Sequence, residues 1–73
     1  GNGVMKISAR NALAGTVVSI TEGATTAHVG IDIGGGRIVT ASITNAAVAD
    51  LGLKVGGAAT AIIKSSDVLV AVD

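Results

Sequence analysis

Residues 25–33 alternate without a break: Ala27, Val29, Ile31 and Ile33 fall on one side, Thr26, His28, Gly30 and Asp32 on the other. A period of two puts the aliphatic set on one face of a β-strand and the polar set on the opposite face. Gly34-Gly35-Gly36 follows at once, and consecutive glycines supply the positive φ of a tight reversal. A strand that ends in such a turn calls for a returning partner, and residues 37–43 provide it.

The rest of the chain follows the same plan, with turn signals roughly every eight to twelve residues and β-branched segments between them. Residues 12–20 form a first strand, closed by a turn at Glu22-Gly23. Residues 44–51 change character. Thr44 or Asn45 can cap a helix N-terminus, Ala46, Ala47 and Ala49 favour helix, and Gly52 is placed to end it. About two turns result, too few to stand without packing; Val48 and Leu51 are expected as the buried stripe. Residues 58–64 read as a fourth strand, Ser65-Ser66-Asp67 as a turn, and Val68-Leu69-Val70-Ala71-Val72 as a fifth strand, apolar throughout and so covered on both faces. The expected fold is all-β: a small five-stranded OB-like barrel with one short helix between strands 3 and 4.

Composition narrows the function. Seventy-three residues make one small domain, marginal on its own because folding buries only about 60% of the surface at this size. With no cysteine and a single histidine, neither disulfides nor a structural zinc can compensate. Yet 49% of residues are hydrophobic and 14% charged, against a usual ~25% charged, which points to a homo-oligomer that hides apolar surface between copies. The lack of Phe, Tyr and Trp and the balance of five basic against five acidic residues argue against nucleic-acid binding, which needs stacking platforms and positive charge. No segment has the ~20 apolar residues of a membrane span, and no signal peptide is legible, so the expected location is the cytoplasm. Gly1-Asn2-Gly3-Val4 precede Met5 and read as an N-terminal extension or cloning scar ahead of a single domain over residues 5–73.

Three places concentrate hydrogen-bond donors. Ser8-Ala9-Arg10-Asn11 offers a hydroxyl, a guanidinium and a carboxamide at the foot of the first strand. Thr44-Asn45 opens the helix, where free backbone N–H groups favour anions. Lys64-Ser65-Ser66 joins an ammonium to two hydroxyls at a strand end. A tetrahedral dianion presents only acceptors, so donors with no base or nucleophile beside them suit an oxyanion better than a reaction. Taken singly, each has an ordinary alternative: a surface arginine, a capping residue, a solvated turn. His28 has no second His or Cys to share a metal, and Asp32, Asp50 and Asp67 form no acid–base pair. Gly34-Gly35-Gly36 lacks the lysine of a phosphate loop. No nucleophile–base pair is readable, and the chain is not expected to be an enzyme.

The segments M-K-I-S-A-R-N at residues 5–11, G-x-V-V-x-I at 15–20, G-G-G-x-I-x-T-x-x-I-T at 34–44, L-G-L-x-x-G at 51–56 and A-I-I-K-S-S-D-V at 61–68 follow one another in the order of a Mop domain. The chain resembles the molbindins, small cytoplasmic molybdate- and tungstate-binding proteins. The resemblance implies an OB-like barrel and a hexamer, a trimer of dimers, with oxyanions bound between subunits. Carried over residue by residue, it makes Ser8, Arg10, Lys64 and Ser65 contacts of the oxyanion. Thr44 would donate its hydroxyl, and Asn11 belongs to the motif as a contact or a brace. Related regulator domains often carry a serine three residues beyond this threonine; here that position is Ala47. The bound ligand implied is molybdate or tungstate, and discrimination from sulfate would rest on cavity size. The function expected is intracellular storage of these oxyanions; the alternative is an oxyanion-sensing or partner-binding module. A biotinyl or lipoyl carrier is disfavoured, because its lysine needs a mid-chain hairpin and the hairpin here is glycine.

Overall fold

A computed structural model of the chain describes residues 8–73. Residues 1–4 and the Met5-Lys6-Ile7 part of the first motif lie outside the described residues. Strands β1 (Asn11–Glu22), β2 (Thr26–Asp32) and β3 (Ile38–Thr44) are followed by helix α1 (Asn45–Leu51), strand β4 (Ala58–Ile63) and a single 3₁₀ turn (Ser65–Asp67). The strands form one antiparallel sheet in the order β3-β2-β1-β4.

The alternating segment follows its pattern except at Gly30, which falls on the polar side yet is buried beneath Ser19 and Ile38. Ala27, Val29 and Ile31 of β2 are buried and join Val17, Val48 and Ala61 in the core, while His28 faces solvent. At its end Asp32 Oδ1 accepts the Gly34 N–H at 2.7 Å. The reversal then runs through three positive φ angles, 111°, 64° and 76° at Gly34, Gly35 and Gly36. Only glycine takes these values without steric conflict, so the reversal is written into the residue type.

β1 is longer than its sequence pattern suggested, because it serves two partners. Its first half, from Asn11 to Thr16, pairs with β4, and its second half, from Thr16 to Glu22, with β2. A register irregularity between Val17 and Ser19 bends the strand at the handover. There the Val17 N–H donates to Gly57 O at 2.9 Å and Val17 O accepts the Gly56 N–H at 2.8 Å. The turn before β4 is thereby stitched to the bend, and the sheet curls about one aliphatic core.

The helix forms where expected, with Thr44 as its N-cap: Thr44 Oγ1 accepts the Ala47 N–H at 3.0 Å. Its end is a Schellman closure. Gly52 sits at φ 63°, ψ 34°, its N–H donating to Ala49 O, and the Leu53 N–H donates to Val48 O. One expected contact is different. Val48 is buried, but Leu51 is 68% exposed; the helix is anchored instead by Val48 and by Leu53, which packs against the core just past the glycine.

The expected fifth strand is absent among the described residues, which contain four. Residues 68–73 carry no regular structure, and Leu69, Val70 and Val72 are 94%, 87% and 91% exposed. The sheet curls as expected, but its edges β3 and β4 are not joined by a fifth strand. The physical reason is that a strand exists only by pairing with an edge. After β4 the 3₁₀ turn redirects the chain, and residues 68–73 meet no edge of their own sheet. β4 itself closes at Ile63, one residue before the expected end at Lys64.

Candidate functional site

Antiparallel pairing of β1 with β4 ends on the rung Asn11↔Ile63. That single register brings together two donor segments more than fifty positions apart in the chain: Ser8-Ala9-Arg10 runs into the rung from one side, and Lys64-Ser65 leaves it on the other. The rung is closed by a side chain. Asn11 Nδ2 donates to Ile63 O at 3.2 Å across the half-buried strand end. On the β4 side, Lys64 keeps an extended backbone (φ −64°, ψ 141°), and its carbonyl accepts the Asp67 N–H at 2.9 Å, which starts the 3₁₀ turn.

Ser8, Arg10, Lys64 and Ser65 are exposed. None of the side-chain hydrogen bonds among the described residues involves any of them. Two cations and two hydroxyls thus gather at one end of the sheet with their donors available to an outside acceptor. A guanidinium offers a planar fork, an ammonium a point charge and hydroxyls rotatable donors, a set matched to a tetrahedral dianion.

Thr44 is not part of that cluster within one chain. It pairs with Thr26, beside the Glu22↔Ala27 rung at the far end of β1. Asn11 and Glu22 are separated by on the order of 35 Å of strand contour. Thr44 Oγ1 is engaged as an acceptor by Ala47, which leaves its hydroxyl proton to donate. The alanine at position 47 therefore supplies the capping N–H and offers no side-chain donor of its own.

Asn45, read in the sequence only as a capping candidate and a neighbour of Thr44 at the helix start, has a different role in the fold. Asn45 donates its backbone N–H to Thr25 O at 2.9 Å and its Nδ2 to Gly23 O at 3.0 Å. It ties the start of the helix to the β1–β2 turn. Its Oδ1 is buried with no hydrogen-bond partner. Thr-Asn reads in sequence as two equal capping candidates, so nothing there marked Asn45 as a tether.

Among the described residues, the most pronounced hollows on the surface are lined by none of the candidate site residues. The trough between β3 and β4, about 470 Å³, is walled by Val29, Ile31, Val39, Ile43, Leu53 and Ile63 among others. An anion there would lose its water and find almost no donors. The donors compatible with an oxyanion lie on the open sheet end instead.

Residues 7–70 match the TOBE domain. The chain is 54% identical over 69 residues to a probable molybdenum-pterin-binding protein of Haemophilus influenzae, covering 94% of this chain and 100% of that one. Among solved structures it is similar to MopII from Clostridium pasteurianum, with a TM-score of 0.85 and 43% identity over 92% of this chain and 100% of that one. It is also similar to the cytoplasmic molybdate-binding protein ModG in a form with molybdate bound, with a TM-score of 0.85 and 48% identity over 89% of this chain but 46% of that one. With its S-A-R-N and K-S segments at one end of the β1–β4 ladder and its curled sheet similar to those of solved relatives, the chain belongs to the TOBE-domain family, among the molybdenum-pterin-binding (Mop) proteins.

Proposed function

We propose that this protein binds molybdate or tungstate at sites shared between subunits of a homo-oligomer and holds these oxyanions in the cytoplasm as a store. The observation that carries the proposal is the β1–β4 rung, which gathers Arg10, Lys64, Ser8 and Ser65 at one sheet end while Thr44 stands at the other. A second copy is the simplest source of the missing threonine corner. Two cations offset a dianion, and hydroxyl donors with backbone N–H groups set the size and shape accepted.

Exposed aliphatic surface supports assembly. Exposed aliphatics at Val18, Ile38, Leu51, Val55 and Ile62, with the residues 68–72 segment, are the surface to be covered. A hexamer built as a trimer of dimers fits a chain with more than one such face.

Equilibrium titration with molybdate tests the proposal. Saturable binding at low micromolar concentration is expected, with loss of roughly a hundredfold or more in Arg10→Ala/Lys64→Ala, since each charge-assisted hydrogen bond contributes ~1.5–3 kcal/mol. Absence of binding to purified wild-type protein refutes it. The second reading is a sensing or partner-binding module, and one comparison favours it: the chain is also 46% identical to 24% of a longer protein, the molybdenum transport protein ModE of Herbaspirillum seropedicae. A stoichiometric protein partner recovered with the full-length chain would favour that role over storage.

A further inference from the structure

We infer that Asn11 is a positioning residue, an amide clamp that sets the spacing of Arg10 and Lys64 before an anion arrives. The inference rests on the oxyanion reading above and concerns what makes that site ready.

Arg10 and Lys64 immediately flank the last rung of the β1–β4 ladder. Strand ends fray, because the terminal rung lacks a neighbour beyond it. These two ends also have a reason to separate: each carries a positive charge, and like charges at adjoining strand ends repel. The side chain of Asn11 opposes both effects by donating Nδ2–H to Ile63 O at 3.2 Å, adding a bond to the rung from within the rung itself. Residue type matters here. A carboxylate of the same shape cannot donate to a carbonyl, and an aliphatic side chain of the same size offers nothing.

The two flanks are not held equally. Lys64 is restrained from both sides, by the rung at Ile63 and by the Asp67 N–H on its own carbonyl. Arg10 lies in a bend before the strand begins, and no backbone hydrogen bond outside the strands and helices holds it among the described residues. Loss of the clamp therefore frees Arg10 more than Lys64. An arginine that must be ordered when the anion binds contributes less to affinity than one already in place.

Molybdate titrations of wild type, Asn11→Ala, Arg10→Ala and the double variant test this, with Asn11→Leu as a size-matched second variant. Asn11→Ala and Asn11→Leu are expected to weaken binding about tenfold while remaining folded at the titration temperature by circular dichroism. The decisive readout is coupling: Arg10→Ala should weaken binding by a smaller factor in the Asn11→Ala background than in wild type. Multiplicative losses would mean that Asn11 acts independently of Arg10, and unchanged affinity would mean that the rung needs no clamp; either result overturns the inference. A wild type that fails to bind molybdate is a separate result, which removes the oxyanion reading itself.

Discussion

Gly15 carries no chemistry, yet the close approach of β1 to the end of β2 relies on its lack of a side chain. A Cβ at this position would run into the Asp32 carbonyl oxygen and come within 2.9 Å of Ile31 Cγ2. The approach of β1 to β2 at the bend leaves no room for a methyl group. Gly15→Ala is therefore expected to lower stability by ~2 kcal/mol, read as a fall in the thermal midpoint without anion. Thr44 is the opposite case, a residue with two duties. Thr44→Ala removes the cap accepted from Ala47, a loss of about 1 kcal/mol, and also the proposed donor. Thr44→Asp separates the duties: an aspartate caps well but repels a dianion, so it should melt near wild type and yet bind molybdate poorly. Wild-type affinity in Thr44→Asp would show that Thr44 only caps. At this scale the sequence displayed Arg10, Lys64 and Thr44 plainly, because donors are legible by residue type. It did not display the role of Gly15 or Asn45, whose partners are backbone atoms of distant segments.

Strands and helix were legible to different degrees, and the reason lies in what each element depends on. The helix over Asn45–Leu51 needs a cap, a run of small residues and a terminating glycine, all local, and the structure shows all three. β2 and β3 declare themselves by alternation and the glycine turn between them. The segment over residues 68–72 has strong β propensity and no strand, because propensity cannot supply a pairing edge. In the proposed oligomer these side chains are covered by another copy. Leu69→Asp/Val70→Asp should then shift native mass spectra toward smaller assemblies while the far-ultraviolet dichroism of the sheet persists. An unchanged subunit count would place residues 68–72 outside the interface. Leu51 teaches the same lesson on a smaller scale: its spacing from Val48 suggested a buried stripe, but Leu53 takes the inward place after the chain turns at Gly52.

The molecule as a whole leaves aliphatic side chains such as Ile38, Leu51, Leu69 and Val72 exposed and divides its donors between two ends of one sheet. Both features are ones that the proposed oligomer would account for. Native mass spectrometry with and without molybdate measures subunit count and ion stoichiometry together. If sites are shared, ion number should follow the assembly: dissociated subunits should retain no ion, whereas ions kept by isolated monomers would contradict sharing. Molybdate should also raise the thermal midpoint, since a ligand at a hundred times its Kd adds about 2.7 kcal/mol to the bound state. Sulfate should do so much less, because it presents the same acceptors at a smaller size.

By itself, the amino-acid sequence determined the class of fold, the hairpin at its centre, the capped helix and the chemical character of the donors. Each depends on residue type and short-range spacing. Tertiary structure decided the rest: that Ser8-Ala9-Arg10-Asn11 and Lys64-Ser65 come to the same end of the β1–β4 ladder, that Thr44 stands apart from them, and that residues 68–73 find no edge in their own chain. The physical reason is register. Which residues lie opposite one another is settled by the whole antiparallel ladder and the bend in β1, and no local pattern encodes it.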